Sequence, residues 1–114
     1  DMVGHTGVFE AAVAALERLD ELVGKLVTQF NDNGGTVLIT ADHGNSEEMW
    51  DFKNDQPHTQ HTLNKVPFIV ISPDNRKIKL RGNGKLADIA PTMLKLLGIP
   101  KPELMTGESL IQDE

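Results

Sequence analysis

Two short apolar runs, largely β-branched, constrain the fold more than any other feature of this sequence. They are residues 36–40 (TVLIT) and residues 68–72 (FIVIS). Runs of this length and composition are typical of strands buried on both faces of a sheet. Two such strands make a thin sheet that needs helices above and below it. The sequence therefore predicts a short, mostly parallel sheet, flanked by helices and extended by strands from outside this chain.

Helical patterns lie on either side of the two predicted strands. In residues 7–31 apolar side chains recur at steps of three and four, and Asn33-Gly34-Gly35 ends the pattern. Thr6 is the predicted N-cap. Residues 86–97 carry a second pattern, predicted as a turn followed by a helix with Pro91 in its first turn. Residues 76–80 are predicted as a short edge strand, residues 41–66 as an irregular loop, and no internal domain boundary is predicted.

Charge and composition exclude several classes of function. The formal net charge of −6 argues against a nucleic-acid partner, which requires clustered Lys and Arg. The chain has no cysteine, which excludes a disulfide scaffold and a thiolate zinc site. We find neither a signal peptide in residues 1–6 nor an apolar run of the roughly 20 residues that a membrane span needs. These features predict a soluble, cytoplasmic protein with no membrane partner.

All four histidines fall in three polar clusters next to the predicted elements. Asp1 and His5 precede the long helix, Asp42-His43 follows the first strand, and the segment 58–61 (HTQH) precedes the second strand. Loops at the carboxyl ends of strands are where open α/β sheets bind ligands. Carboxylate oxygens and imidazole nitrogens together suit Mn²⁺, Zn²⁺, Fe²⁺ or Co²⁺. The clusters together therefore indicate a metal site, although each one alone is more often a solvated polar segment, and Asp42-His43 alone is also explained as a turn capped by Asp.

Other polar residues are better explained by structure than by chemistry. Asn45, Ser46, Glu47 and Glu48 are interpreted as a solvated helix start, and Ser46 is not favoured as a nucleophile because it lacks an assigned base and a nucleophile-elbow pattern. Asp88 is interpreted as an N-cap or a structural acceptor. The four basic residues between positions 76 and 81 are interpreted as a charged edge strand: Arg76, Lys77, Lys79 and Arg81.

Four motifs together resemble one known family. They are DMVGHTG at 1–7, TADHGN at 40–45, PHTQHT at 57–62 and LADIAPT at 86–92. In order and spacing they are similar to the C-terminal part of the phosphatase domain of cofactor-independent phosphoglycerate mutases, within the alkaline phosphatase superfamily. The first motif is specific to the mutases, whereas Asp-His-Gly is common to the superfamily. The resemblance implies a partial alkaline-phosphatase-like α/β layer structure over residues 1–114.

The resemblance also implies an activity and a set of ligands. Members interconvert 3-phosphoglycerate and 2-phosphoglycerate with two Mn²⁺ ions and a transiently phosphorylated serine, and the full-length enzyme is expected to be monomeric. Asp1, His5 and His61 would hold the first ion, and Asp42 and His43 would contribute to the second. His61 is preferred to His58 because the family's ligand lies closest before the Val66-Pro67 that opens the next strand.

The sequence departs from the family in length. The serine nucleophile, the remaining ligands of the second ion and the inserted transferase domain have no counterpart in residues 1–114. We therefore expect a C-terminal fragment, cut from a longer protein, that is inactive alone. Two alternatives stay open. One is a fragment of another superfamily member, such as a phosphopentomutase or a phosphatase, and the other is a metal-binding module without catalysis.

Overall fold

The computed structural model describes residues 1–74 and 76–112. The chain forms two compact units, Asp1–Asn75 and Arg76–Glu114. The sequence analysis did not predict this division, because no long polar linker separates the two parts. In the described residues, no helix is both long and apolar enough to cross a bilayer.

The first unit begins with a turn that leads into one long helix. A 3-10 turn covers Gly4–Thr6 and helix α1 covers Phe9–Asp32. Thr6 is not the N-cap as predicted: Gly7, with φ +67°, ends the 3-10 turn, and Val8 is the N-cap. The Thr6 hydroxyl instead accepts a hydrogen bond from the Val8 N–H at 3.1 Å. The helix ends before Gly34, whose φ of +78° favours glycine.

The predicted strands pair with each other, but in the opposite sense to the prediction. Strands β1 (Val37–Thr40) and β4 (Phe68–Ile71) are antiparallel, with Val37 opposite Ile71 and Thr40 opposite Phe68. The expectation of a mostly parallel sheet is therefore wrong for the described strands. A parallel pair needs a crossover, usually a helix, to return the chain to the starting end. Residues 41–67 contain no helix, so the chain re-enters the sheet at the end where it left.

A small hairpin lies inside the segment predicted as irregular. Strands β2 (Trp50–Asp51) and β3 (Gln56–Pro57) pair antiparallel. The Asp51 carboxylate closes their turn by accepting hydrogen bonds from the backbone N–H groups of Lys53 and Asn54, at 3.0 and 3.1 Å. Each strand has two residues, so periodicity could not reveal it.

The second unit contains a 3-10 turn (Leu86–Asp88) and helix α2 (Ile89–Leu96). Pro91 is the third residue of α2, in its first turn as predicted. A backbone N–H in the first turn has no acceptor within the helix, so the N–H that proline lacks costs no helical hydrogen bond. The predicted edge strand at 76–80 is reduced to a single bridge between Leu80 and Ile111. The bridge is flanked by a hydrogen bond from the Arg81 N–H to the Leu110 carbonyl at 2.8 Å.

Asp88 organises this second unit, in agreement with its interpretation as a structural acceptor. It is 2% exposed and accepts hydrogen bonds from the N–H groups of Lys85 (3.0 Å) and Glu108 (2.9 Å). The Arg81 guanidinium lies 3.0 Å from the same carboxylate. Arg81 is thus an internal ion-pair partner, and its interpretation as part of a charged edge strand is wrong. The fully buried Thr92 donates to the Asp88 carbonyl at 2.6 Å and accepts from the Leu110 N–H at 2.9 Å.

These contacts predict an acid-sensitive contribution to stability. The Glu108 N–H first, and then the Lys85 N–H and Arg81, lower the pKa of Asp88 below the ordinary value of 3.8. The unfolded chain therefore binds this proton more readily, so the stabilisation is complete above pH 3.8 and is lost as pH falls towards the lower folded-state pKa.

We expect Asp88→Asn to lower the free energy of unfolding by about 1–3 kcal/mol at neutral pH, because buried donors lose an ionised acceptor. Urea unfolding at pH 7 and at pH 3 measures the difference between variant and wild type, which should shrink at pH 3. Asp20→Asn, which removes an exposed carboxylate from α1, controls for net charge. An equal loss of stability at both pH values would contradict this prediction.

Candidate metal centre

The first two candidate ligands are brought together by the turn that precedes α1. The His5 N–H donates to the Asp1 carbonyl at 3.2 Å, which places the two side chains one turn apart. Asp1 Oδ2 then lies 3.4 Å from His5 Nε2. Gly4, between them, is buried, so this turn packs its backbone inward and presents both side chains outward.

His61 completes this cluster from the loop before β4. Its Nε2 atom lies 3.1 Å from Asp1 Oδ1 and 3.1 Å from His5 Nε2. The ligand atoms of Asp1, His5 and His61 all lie within 4.8 Å of one another. The structure thus brings together the three residues that the sequence analysis assigned to the first ion, although His61 is 56 positions from His5.

The chemistry of these donors fits a divalent cation. His5 Nδ1 lies 2.6 Å from the Thr59 carbonyl oxygen, which can only accept, so Nδ1 carries the hydrogen and the Nε2 lone pair of the neutral ring faces the cluster. Two imidazole nitrogens and a carboxylate are common ligands of transition metals. Ligands about 2.1 Å from one ion are about 3.0–3.4 Å apart in octahedral or tetrahedral geometry. The two imidazole nitrogens lie 3.1 Å apart and face different oxygens of the Asp1 carboxylate, His61 at 3.1 Å from Oδ1 and His5 at 3.4 Å from Oδ2, so each of these pairs falls in this range.

The residues predicted for a second ion adjoin the same cluster. The His43 ring stacks on the His61 ring with centroids 3.4 Å apart and an interplanar angle of 18°. His43 Nε2 lies 3.6 Å from Asp1 Oδ1 and 3.5 Å from Asp42 Oδ1. Asp1 therefore lies beside both groups, and the five candidate ligands form one continuous site.

The surroundings of His61 favour its neutral form. Partial removal from water lowers the pKa of His61, and the neighbouring imidazoles of His43 and His5 lower it further. A neutral ring has a free lone pair on one nitrogen, which is the form that binds a metal.

Polar residues that the sequence analysis did not assign to the site hold the ligand-bearing loops together. The Thr62 N–H donates to the Gly44 carbonyl at 2.8 Å, joining the loop of His43 to the loop of His61. The Glu47 carboxylate accepts from the Asn45 N–H at 2.7 Å, from the Asn64 amide at 3.1 Å and from the Thr62 hydroxyl. The interpretation of Asn45 and Glu47 as a solvated helix start is therefore wrong. In the sequence, the only indication of a role in the site is their position shortly after Asp42-His43.

His58 lies outside the cluster of Asp1, His5 and His61. Its backbone N–H donates to the Met49 carbonyl at 2.9 Å, next to the β2–β3 hairpin. Its Nδ1 atom is buried without a hydrogen-bond partner in the described residues. These contacts attach His58 to the hairpin rather than to the candidate ligands.

Comparison with known families identifies the group to which this site belongs. Residues 1–101 match the family model of the metalloenzyme superfamily. The chain belongs to the metalloenzyme superfamily. A divalent metal site is therefore expected, and each candidate ligand lies within the matched residues.

The chain's similar relatives include several phosphoglycerate mutases. The 2,3-bisphosphoglycerate-independent phosphoglycerate mutase of Clostridium botulinum (strain Langeland) is 60% identical over 112 residues, which are 98% of this chain and 22% of the relative. Phosphoglycerate mutase 2 of the same type from Methanosarcina barkeri is 58% identical over 111 residues, or 97% of this chain and 21% of the relative. The resemblance seen in the four motifs is thereby confirmed. The chain spans about a fifth of the length of these relatives.

For this superfamily member, the geometry distinguishes the two histidines of the segment 58–61. We expect His61→Ala to weaken Mn²⁺ binding by more than the roughly 10–100-fold that loss of an outer partner of a metal site costs. His58→Ala should leave the affinity within about threefold of wild type, because His58 lies outside the cluster. Isothermal titration calorimetry measures both variants. An unchanged affinity in His61→Ala, or equal losses in both variants, would refute the assignment.

Proposed function

We propose that this chain is the metal-binding C-terminal part of the phosphatase domain of a 2,3-bisphosphoglycerate-independent phosphoglycerate mutase. Asp1, His5 and His61 are proposed to hold one Mn²⁺ ion, and Asp42 and His43 to contribute to a second. The observation that carries the proposal is the convergence of three ligand atoms within 4.8 Å in a chain 60% identical to such a mutase. The names of these relatives favour a mutase over a phosphopentomutase or a phosphatase.

The charges of the site favour binding of an anionic substrate only when cations are also bound. The five candidate ligands include two carboxylates, Asp1 and Asp42, and no Lys or Arg. By themselves they would repel a phosphoryl group. Divalent cations, when bound, neutralise phosphoryl oxygens and lower the pKa of a coordinated hydroxyl.

The residues of this chain contribute orientation and charge. The Thr59 carbonyl fixes the tautomer and the direction of His5, and the stacked rings of His43 and His61 restrain each other. Asp1 supplies the carboxylate that lies against His5, His43 and His61. Phosphoglycerate is the proposed substrate of the full-length protein, and the 114-residue chain alone is proposed to lack turnover because it spans about a fifth of its relatives.

A chimera tests this proposal directly. The matched 112 residues of the C. botulinum mutase can be replaced by this chain, and conversion of 3-phosphoglycerate can be followed with a coupled assay. We expect an active chimera whose kcat/KM falls at least about 1000-fold in His61→Ala, since metal-bound charge stabilisation contributes several kcal/mol. Glu17→Gln, an exposed change on α1, should be silent.

Two results would overturn the proposal. One is a folded, Mn²⁺-loaded chimera that does not convert 3-phosphoglycerate, or that prefers a pentose phosphate. The other is measurable mutase turnover by the 114-residue chain alone with Mn²⁺.

A further inference from the structure

We propose that Asn45 and Glu47 are positioning residues that hold three ligand-bearing segments in place before an ion binds. The segments are the entry turn (residues 1–7, with Asp1 and His5), the first loop (residues 41–48, with Asp42 and His43) and the second loop (residues 58–64, with His61). The inference rests on the proposed metal centre, and it assigns a role to two side chains that are not themselves candidate ligands.

Asn45 contacts both of the other segments with one side chain. Its amide Nδ2 donates to the Gln60 carbonyl at 3.1 Å, one residue before His61. Its Oδ1 atom lies only 1.6 Å from the position that a Cβ atom on Gly4 would occupy. The missing side chain of Gly4 therefore allows the entry turn to pack directly against the Asn45 amide.

Glu47 ties the first loop to the second through three donors. The Asn45 N–H comes from its own loop, and the Thr62 hydroxyl and the Asn64 amide come from the second loop. The Thr62 hydroxyl is the main cause that lowers the pKa of Glu47 to about 2, so the carboxylate is ionised at neutral pH. Hydrogen bonds to an ionised acceptor are stronger than those between neutral groups.

Gly44 gives the two loops room to approach. A Cβ atom there would lie 2.1 Å from Thr62 Oγ1 and 2.2 Å from Glu47 Oε1. The backbone bridge from the Thr62 N–H to the Gly44 carbonyl, at 2.8 Å, lies beside these side-chain contacts. The loops are thus joined by one bridge and a set of side chains, rather than by a regular sheet.

This arrangement has a consequence for metal binding. The candidate ligands are two carboxylates and three imidazoles. Their proximity contributes little stabilising free energy until a cation is present. Metal ligands need to be held within about 0.5 Å of their working geometry by surrounding contacts. Loss of Asn45 or Glu47 should therefore lower metal affinity more than it lowers the stability of the fold.

The test uses Co²⁺, whose visible absorption reports its ligand geometry, added to the 114-residue chain. We expect Asn45→Ala and Glu47→Ala to bind Co²⁺ about 10–100-fold more weakly than wild type, with an altered absorption spectrum. Glu47→Gln, which keeps an acceptor for Thr62 and Asn64, should recover part of the loss. Urea unfolding of each metal-free variant measures its stability separately.

Two control variants separate positioning from general effects. Val27→Ala removes two methyl groups from a half-buried residue of α1, away from the loops, and lowers stability without touching the site. Glu17→Gln removes one exposed negative charge from the same helix. Both should bind Co²⁺ as wild type does and give the same spectrum. If an alanine variant does not fold, Glu47→Gln and Asn45→Asp carry the comparison.

The outcomes distinguish this inference from the proposed function. If wild type binds Co²⁺ and the Asn45 and Glu47 variants bind it equally well, or weaken only as Val27→Ala does, the positioning role is refuted and the metal centre stands. If wild type binds neither Co²⁺ nor Mn²⁺, the metal centre itself fails, and the inference fails with it. Weaker binding confined to the Asn45 and Glu47 variants supports the positioning role.

Discussion

The close approach of His5 and His61 beside Asp1 is the constraint on which the rest of the first unit depends. Two ring nitrogens 3.1 Å apart can share one proton or face one cation, but they cannot both carry a hydrogen on the line between them. The Thr59 carbonyl already orients the His5 ring through Nδ1. The proximity is therefore imposed by the segments that carry these residues, and those segments need contacts of their own.

The antiparallel pairing of β1 and β4 supplies the first of these contacts. Thr40, the last residue of β1, lies opposite Phe68, the first residue of β4. The loop that leaves β1 with Asp42-His43 and the loop that enters β4 after His61 consequently emerge at the same end of the sheet. In a parallel pair the end of one strand and the start of the other lie at opposite ends, and a single strand pair could not bring these loops together. The strand direction that the sequence analysis missed is thus what positions the site.

Much of the site could be predicted from the sequence, because its chemistry resides in rare residue types. Three of the four histidines, His5, His43 and His61, lie in the site. Helices α1 and α2 and strands β1 and β4 are revealed by periodicity and β-branched composition. Strand direction could not be predicted, because a short apolar run of the same composition can form a buried strand in either a parallel or an antiparallel sheet. Asn45 and Glu47 were misinterpreted for a related reason: their partners Gln60 and Asn64 are 15 and 17 positions away, and a polar residue does not reveal a distant partner in the sequence. The same holds for Arg81, whose guanidinium pairs with Asp88 and also donates to the Glu108 carbonyl, 27 positions away.

Exposure makes loop geometry more important in this site than burial. The side chains of Asp1, His5 and His61 are 58%, 40% and 47% exposed, so water competes for every ligand atom and screens the carboxylates. In such an exposed site a low dielectric adds little to the affinity for a cation. The affinity depends instead on how many ligands are already in place. On the proposed function, two divalent ions against the carboxylates of Asp1 and Asp42 would leave a charge of about +2. That charge complements a phosphoryl dianion, so on this proposal the contacts that keep five ligands in one place also determine whether the site attracts or repels a phosphorylated ligand.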